Sequence, residues 1–207
     1  MLRLWGRDNS SNVMKVIWLL EELRLPYERL DVGGPFGKTD TPEYRAMNPT
    51  GLVPTLDDDG FTMWESNAIL RYLCEAHAPE TPLWPKQPQA RGKIDQWMDY
   101  QQCGMNRPQG VVFLGLIRTP PEKRDMAAIA KGAEEAGRSW AIVDAALGRH
   151  PFVAGEAFSL ADIVFGVHAH RWLQFPVARP DTPHLKAWYE RLLTRPIYAK
   201  HIARPLT

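Results

Sequence analysis

Pro54 is the residue that most limits what this chain can fold into. It stands inside Leu52-Val53-Pro54-Thr55-Leu56, a run that otherwise reads as strand. Proline donates nothing to a ladder and is confined to a strand's first residue, an edge or a bulge, so the backbone just before Pro54 is expected to stay unpaired. A cis bond is a minority state for any one proline, roughly 5–6% of X-Pro bonds in folded proteins, and spacing alone does not require one here. The surrounding stretch, Asn48 to Leu73, opens with the loop Asn48-Pro49-Thr50-Gly51 and this strand entry. A hairpin turn follows at Asp57-Asp58-Asp59-Gly60, with D-G its strongest signal, and then a returning strand Phe61–Trp64. Glu65-Ser66-Asn67 then opens a helix with Ile69, Leu70 and Leu73 at helical spacing. Two kinds of polar group are left at one end of a sheet. The N–H and C=O of Val53 suit an extended ligand, and the amides of Ser66 and Asn67 suit a carboxylate at the positive end of a helix. The alternative for Ser66 is that it only caps its helix.

Around that stretch the chain shows two patterns. Leu2-Arg3-Leu4-Trp5-Gly6 begins a strand, and Arg7 to Asn12 is a polar loop. Val13 to Leu25 repeats apolar residues at Val16, Leu19, Leu20 and Leu23, an amphipathic helix ended by Pro26. Tyr27 to Val32 is a second strand, and strand–helix–strand implies a right-handed parallel crossover. Thr41-Pro42-Glu43 starts a short helix, with Thr at the N-cap and Pro at the first helical position. The resulting β-α-β-α-β-β-α order is the thioredoxin-like arrangement. Ala78 to Pro85 is a proline-rich linker, and the pattern is helical from Gln89 onward, near Ala90–Ile117, Pro121–Gly148, Ser159–Phe175 and His184–Arg195. The expectation is an α/β thioredoxin-like N-terminal domain over 1–78, a linker over 79–88 and an all-α C-terminal domain over 89–207. Ser159-Leu160-Ala161-Asp162 is a capping-box variant with Phe158 and Ile163 as its staple, which assigns Asp162 to stability rather than catalysis.

Charge and cysteine usage exclude several classes. With 25 basic and 24 acidic residues there is no electrostatic case for nucleic acid or an anionic membrane. No apolar run reaches the ~18 residues of a membrane span, and Met1-Leu2-Arg3-Leu4 runs into a strand rather than a signal peptide. Cys74 and Cys103 form no C-x-x-C pair and read as reduced thiols of a cytoplasmic protein.

The Val53-Pro54-Thr55-Leu56 strand, the Glu65-Ser66 pair and the Asn48-Pro49-Thr50-Gly51 loop resemble the glutathione-binding domain of the glutathione S-transferases. The likeness covers essentially the whole chain. It implies that Val53 pairs its backbone with the cysteinyl unit of glutathione, that Pro54 is cis, and that Glu65 and Ser66 hold the γ-glutamyl end. Ser10-Ser11-Asn12 followed by Lys15-Val16 is similar to the S-x-N motif of the serine-type classes, whose first serine donates to the glutathione thiolate, so Ser10 inherits that role. The related bacterial Nu-type branch relies on an asparagine that falls on Asn12, and Ser11 is the off-register neighbour. The loop has no cysteine, unlike the Omega branch, and no early tyrosine supports the tyrosine-type classes, so the likeness is to bacterial serine-type, theta/beta/Nu-like enzymes. Lys38 is the candidate cation for the glycyl carboxylate, or else a solvated loop lysine.

The chemistry required of Ser10-Ser11-Asn12 is to hold a thiol as its thiolate, the nucleophilic form. A free thiol has a pKa of roughly 8.5, and each unit of lowering needs about 1.36 kcal/mol of preference for the anion. Hydrogen bonds to charged groups contribute roughly 1.5–3 kcal/mol, so one hydroxyl plus helix-terminal amides supply one or two such units. The competing role for these residues is simple capping of the helix that follows.

Other motifs are discounted. Gly33-Gly34-Pro35-Phe36-Gly37-Lys38-Thr39 ends like a phosphate loop, but Val32 occupies its first glycine position and no long helix follows. His168 and His170 are two apart on a helix and do not face one another, so no metal is expected. Trp97, Trp140, Trp172 and Trp188 are expected in the core. The second substrate, a small electrophile, is expected between the domains, with Met105, Asn106, Arg107 and Phe113 as its best candidates within Gln101–Leu116. Arg107 has alternative roles on a glutathione carboxylate or in an ion pair. The resemblance further implies a homodimer in which Gln101 and Gln102 approach the partner's glutathione. The implied activity is glutathione transfer to an electrophile, with glutathione as co-substrate. The rivals are a glutathione-dependent disulfide or peroxide reductase and a non-catalytic transferase-fold binding module.

Overall fold

β1 (Leu2–Trp5) is the hub of a mixed sheet in the computed structural model, which describes residues 1–207. It pairs in parallel with β2 (Tyr27–Leu30) and antiparallel with β3 (Thr55–Asp58), which pairs antiparallel with β4 (Phe61–Trp64), giving the order β2-β1-β3-β4. Strand alternation sends Leu2 and Leu4 into the core, while Arg3 on the other face lies 3.4 Å from Glu28 and 3.8 Å from Asp57, its register partners on either side. α1 (Ser11–Glu22) supplies the crossover between β1 and β2 and packs against α3 (Ser66–His77). Val16, Leu19 and Leu20 from α1 and Ile69, Leu70 and Leu73 from α3 are fully buried there. The short α2 (Pro42–Met47) is capped by Thr41, whose hydroxyl accepts from the Tyr44 amide at 3.3 Å.

The boundaries of α1, of the strand at Pro54 and of the hairpin turn differ from the sequence expectation, each for a local reason. α1 starts at Ser11, not Val13, because Ser10 takes the N-cap, and it stops at Glu22, well before Pro26. Arg24 adopts a left-handed conformation, φ 54°, and the Leu25 amide then donates to the Leu20 carbonyl at 2.9 Å, a C-terminal cap built without glycine. β3 begins at Thr55, so Leu52 and Val53 stay outside the ladder. The hairpin turn is Asp59-Gly60 alone, with φ of 48° and 95°, the pair of positive values that matches the twist of the flanking strands; Asp57 and Asp58 are strand residues.

The chain divides into two compact units, Met1–Thr81 and Pro82–Thr207, at a point inside the proline-rich stretch. Leu83 and Trp84 are buried within the second unit, where the Leu160 amide donates to the Leu83 carbonyl at 3.1 Å and Arg91 lies 5.0 Å from the Trp84 ring centroid. This unit is helical: α4 (Pro88–Tyr100), α5 (Asn106–Phe113), α6 (Met126–Leu147), α7 (Leu160–Gln174), α8 (Pro183–Leu193) and α9 (Pro196–His201). The first expected helix is not continuous, since π-helical turns at Gln101–Met105 and Leu114–Arg118 flank α5. α7 is buried on nearly every side, its own Trp172 included, as its lack of a polar face requires, and Trp140 and Trp188 are fully buried in the same unit. Trp97 is half-buried, edge-on to Phe165 at 5.8 Å.

Asp162 is the polar anchor of this core. Fully buried, it accepts from the Val153 amide, the Ser159 amide and Trp188 Nε1, each at 3.0 Å, and from the Ser159 hydroxyl at 3.2 Å. It ties the start of α7 to α8 and to the preceding loop, a structural role. Burial outweighs these four donors and pushes its pKa up to about 6. Asp162→Ala, which leaves several buried donors unsatisfied, is expected to cost about 3 kcal/mol in urea denaturation. The pH dependence has a definite sign: the folded pKa of about 6 lies above the ordinary 3.8, so the stabilisation from protonation is complete below the lower value. It is lost as pH rises to about 6. Measured stability of the wild type relative to Asp162→Asn is expected to fall across that window and to level off above it.

Candidate site at the ends of the first and third helices

Ser10 sits at the N-cap of α1 with φ −80° and ψ 127°, yet its hydroxyl makes no capping bond. Its backbone is fixed instead, the amide on the Arg7 carbonyl at 3.3 Å and the carbonyl accepting from Met14 at 2.8 Å. The side chain is thus held, largely buried, at the mouth of a helix whose first turn carries no acidic residue, and its O–H donates to no other residue. Gly6 permits the approach that brings this loop under Val53. A Cβ there would lie 2.5 Å from Val13 Cγ2 and 3.4 Å from Val53 Cβ. Ser11 is the first residue of α1, and Asn12 in the same turn has a buried Oδ1 without a hydrogen-bond partner.

Val53 is presented by a polar frame that sequence reasoning did not identify. The Leu52 carbonyl accepts from Tyr44 Oη at 2.6 Å and from Asn48 Nδ2 at 2.9 Å. Asn48 Nδ2 also reaches Thr55 Oγ1 at 3.0 Å, Thr55 Oγ1 donates to Tyr44 Oη at 2.9 Å, and Asn48 Oδ1 accepts from the Thr50 amide and hydroxyl. Burial raises the Tyr44 phenol above its ordinary pKa and keeps it a donor. With the residues on both sides of it pinned and the Val53-Pro54 bond cis, Val53 itself lies outside the ladder and its main-chain N–H and C=O are bonded to no backbone group. The available signal was Asn48, read only as the start of a turn.

Glu65, the N-cap of α3, is exposed and held at φ 70°, a conformation that costs a non-glycine residue of order 1–3 kcal/mol and concentrates at ligand sites. Ser66 follows, 3% exposed, as the first residue of α3, and the first turn has no acidic residue. Lys15 Nζ donates to Asn67 Oδ1 at 3.3 Å, both residues buried, which fastens α1 to the first turn of α3. Lys15 was readable as a lone charge in an otherwise apolar helical stripe. Ser10, Asn12, Val53, Pro54, Glu65 and Ser66 therefore belong to one end of the first unit. Lys38 is exposed with φ 69°, on the loop that follows β2.

The second-substrate candidates fall in separate surroundings. Met105 is fully buried, and Phe113, 8% exposed, lies beneath Arg171 at 4.1 Å and Arg118 at 5.6 Å. Arg107 is exposed and lines a cavity of about 380 Å³ with Lys131 and Glu135, whereas Asn106 is half-buried. Gln101 is fully buried, its Nε2 3.1 Å from His168 Nε2. His170 is likewise held within the helical unit, with Nε2 2.6 Å from the Arg204 carbonyl and Nδ1 2.8 Å from Tyr189 Oη. A larger apolar cavity of about 610 Å³, between α6 and residues 176–180, involves none of these candidates.

The glutathione S-transferase N-terminal domain matches residues 4–81 and the C-terminal domain of the same family matches residues 110–196. Glutathione S-transferase GstB of Escherichia coli (strain K12) is 38% identical over 209 residues, covering 100% of both chains. Glutathione S-transferase 3 of Zea mays is 31% identical over 213 residues, 98% of this chain and 93% of that one. Among solved structures, the theta class glutathione S-transferase from Xanthomonas axonopodis pv. citri with glutathione bound superposes with a TM-score of 0.95 at 44% identity, covering 100% of this chain and 99% of that chain. No helix is long and apolar enough to cross a membrane. Two domain matches in the expected order, full-length relatives and the shared fold make this chain a member of the glutathione S-transferase family of enzymes.

Proposed function

We propose that the chain is a glutathione transferase in which Ser10 holds glutathione as its thiolate for attack on a small, largely apolar electrophile. The observation that carries the reading is the Ser10 hydroxyl, placed at a helix N-cap with its O–H donating to no other residue, so that it can donate to an anion at the positive end of the helix. Val53 supplies a main-chain N–H and C=O for the cysteinyl unit, in the manner of a single added strand residue. Glu65 and the Ser66 amide, at the start of α3, receive the γ-glutamyl end, and Lys38 takes the glycyl carboxylate. In the reaction the thiolate sulfur forms a bond to the electrophilic carbon as that carbon's leaving group departs with its electron pair, or as a conjugated double bond accepts the pair. Ser10 donates its hydrogen bond to the thiolate and keeps its own proton. Met105, Asn106, Arg107 and Phe113 remain the proposed second-substrate residues. The working form is proposed to be a homodimer in the cytoplasm.

One observation favours a second reading. Asn12, in the first turn of the same helix, has a side-chain amide whose buried Oδ1 has no partner, so no other residue fixes its orientation and its Nδ2–H can turn to donate to the thiolate. An amide so placed is a second thiolate ligand, and that arrangement suits a glutathione-dependent disulfide or peroxide reductase.

The test is the pKa of the glutathione thiol on the protein, read from thiolate absorbance against pH. The wild type is expected to hold it one to two units below the free value of roughly 8.5. Ser10→Ala is expected to return it toward that value and to lower kcat by roughly a hundredfold. A lowered pKa that survives Ser10→Ala moves the role to Asn12 and favours the reductase. Failure of the wild type to bind glutathione overturns both enzymatic readings and leaves a binding module on a transferase fold.

A further inference from the structure

We propose that the cavity between α6 and the segment Pro176–Pro180 is a second binding site, one that takes a small apolar carboxylate with its charge on Arg179. The site lies wholly inside the helical unit and does not depend on the glutathione reading. Its walls account for the hollow. Ala130, Ala133, Gly137 and Ala141 recur at spacings of three and four along α6 and so share one face, where they leave space that larger side chains would fill. Across from them the chain leaves α7 at Gln174 and runs from one proline to another, residues that donate no N–H, in a stretch that is neither helix nor strand. The two walls come together at Gly137, where a Cβ would lie 2.9 Å from Pro180 Cδ. The enclosed volume of about 610 Å³ is that of a small-molecule pocket.

Apolar walls alone do not name a ligand; the charges do. Glu134, Arg138 and Arg179 are the charged residues that line the cavity. Glu134 and Arg138 are exposed and paired with each other at 2.6 Å, so they cancel. Arg179 is half-buried, and its partners in the chain are neutral. Nη1 donates to the Trp172 carbonyl at 2.9 Å, Nη2 donates to the Phe175 carbonyl, and the guanidinium lies 5.6 Å from the Trp172 ring centroid. These contacts hold it at the end of α7, whose carbonyls suit a cation, but they supply no full negative charge. Glu190 lines a neighbouring hollow with Arg179 and forms no ion pair with it. Burial works against the charged form of Arg179, and the guanidinium carries further N–H donors with which to meet an anion. A second polar group is left incomplete behind the same wall. Trp172 Cζ2 is 3.9 Å from the Cβ position of Gly137, and Nε1, on the same ring edge, is buried without an acceptor. A carboxylate therefore meets one net positive charge already out of bulk water, while its apolar body covers the small-residue face of α6.

Calorimetry on the full-length chain with 2-naphthoate and its uncharged counterpart 2-naphthylmethanol tests the assignment, with saturating glutathione present throughout. The wild type is expected to bind one naphthoate per chain, and the alcohol at least tenfold more weakly. Arg179→Gln removes the charge and keeps a donor for the α7 carbonyls. It is expected to weaken naphthoate about tenfold and to leave the alcohol within twofold. Ala130→Phe fills the cavity from an exposed position of α6, so the fold does not depend on it, and both ligands are expected to lose at least tenfold. Naphthoate binding that survives both variants, or no binding by the wild type, overturns the proposal. Equal losses for the two ligands in Arg179→Gln reduce Arg179 to a cap of α7 and overturn it too. A change of oligomeric state in Ala130→Phe, read by sedimentation, gives the groove to a second copy of the chain and overturns it as well. Turnover of glutathione is expected to be unchanged in Ala130→Phe, so none of these outcomes bears on the transferase reading.

Discussion

The Leu52 carbonyl, accepting from Tyr44 Oη and Asn48 Nδ2, is the interaction on which the rest of the site depends. A proline after Val53 removes one ladder donor but does not say where the freed backbone will point. Two buried donors on the preceding carbonyl, with Thr55 tied into the same frame, settle that direction. The frame is polar and largely enclosed, so each member is held by the desolvation cost of leaving its partner unpaired, a cost of roughly 1–3 kcal/mol per group. The rigidity that a binding edge requires is thus stored in the loop beneath it. The parts proposed to meet a ligand, the Ser10 hydroxyl, the main chain of Val53 and the start of α3, are left with capacity to spare.

Much of this was readable from residues whose effect is local. Thr41-Pro42 at a helix start, the Asp59-Gly60 turn, Pro54 at a strand entry and the Ser159–Asp162 box each act through their own backbone, and the structure places them as such. The misses have a common cause, which is that tertiary packing decides them. Arg24 enters the left-handed region although nothing in its identity asks for it, and so ends α1 early. The π-helical turns on either side of α5 depend on what α4 and α5 pack against, and periodicity alone reads straight through them. The site was legible in the same proportion. Ser10, Val53 and Ser66 were proposed from motif and position, whereas Tyr44 and Asn48 frame Val53 through partners several residues away that no spacing rule connects. Lys15 was visible as a charge on an apolar stripe, but its bond to Asn67 across the helix pair was not.

The two units store polar groups in their interiors for different ends. In the helical unit Asp162 gathers four donors and joins α7, α8 and the preceding loop, an arrangement saturated by the chain itself. Gln109 works similarly, donating to the His168 carbonyl and accepting from Trp140. In the first unit the polar groups are arranged around capacity left over: a hydroxyl at a cap it does not use, a strained Glu65 at the N-cap of α3, and first helical turns without acids.

The contribution proposed for Val53, main chain rather than a functional side chain, has an evolutionary consequence. Its contribution is written in register, so substitutions at 53 that still fit against Gly6 leave the offered N–H and C=O where they are. Insertion or deletion of a single residue between Asn48 and Pro54 would instead aim the wrong peptide group outward while preserving every recognisable motif residue. Divergence in such a loop is therefore expected to be free in spelling and strict in length.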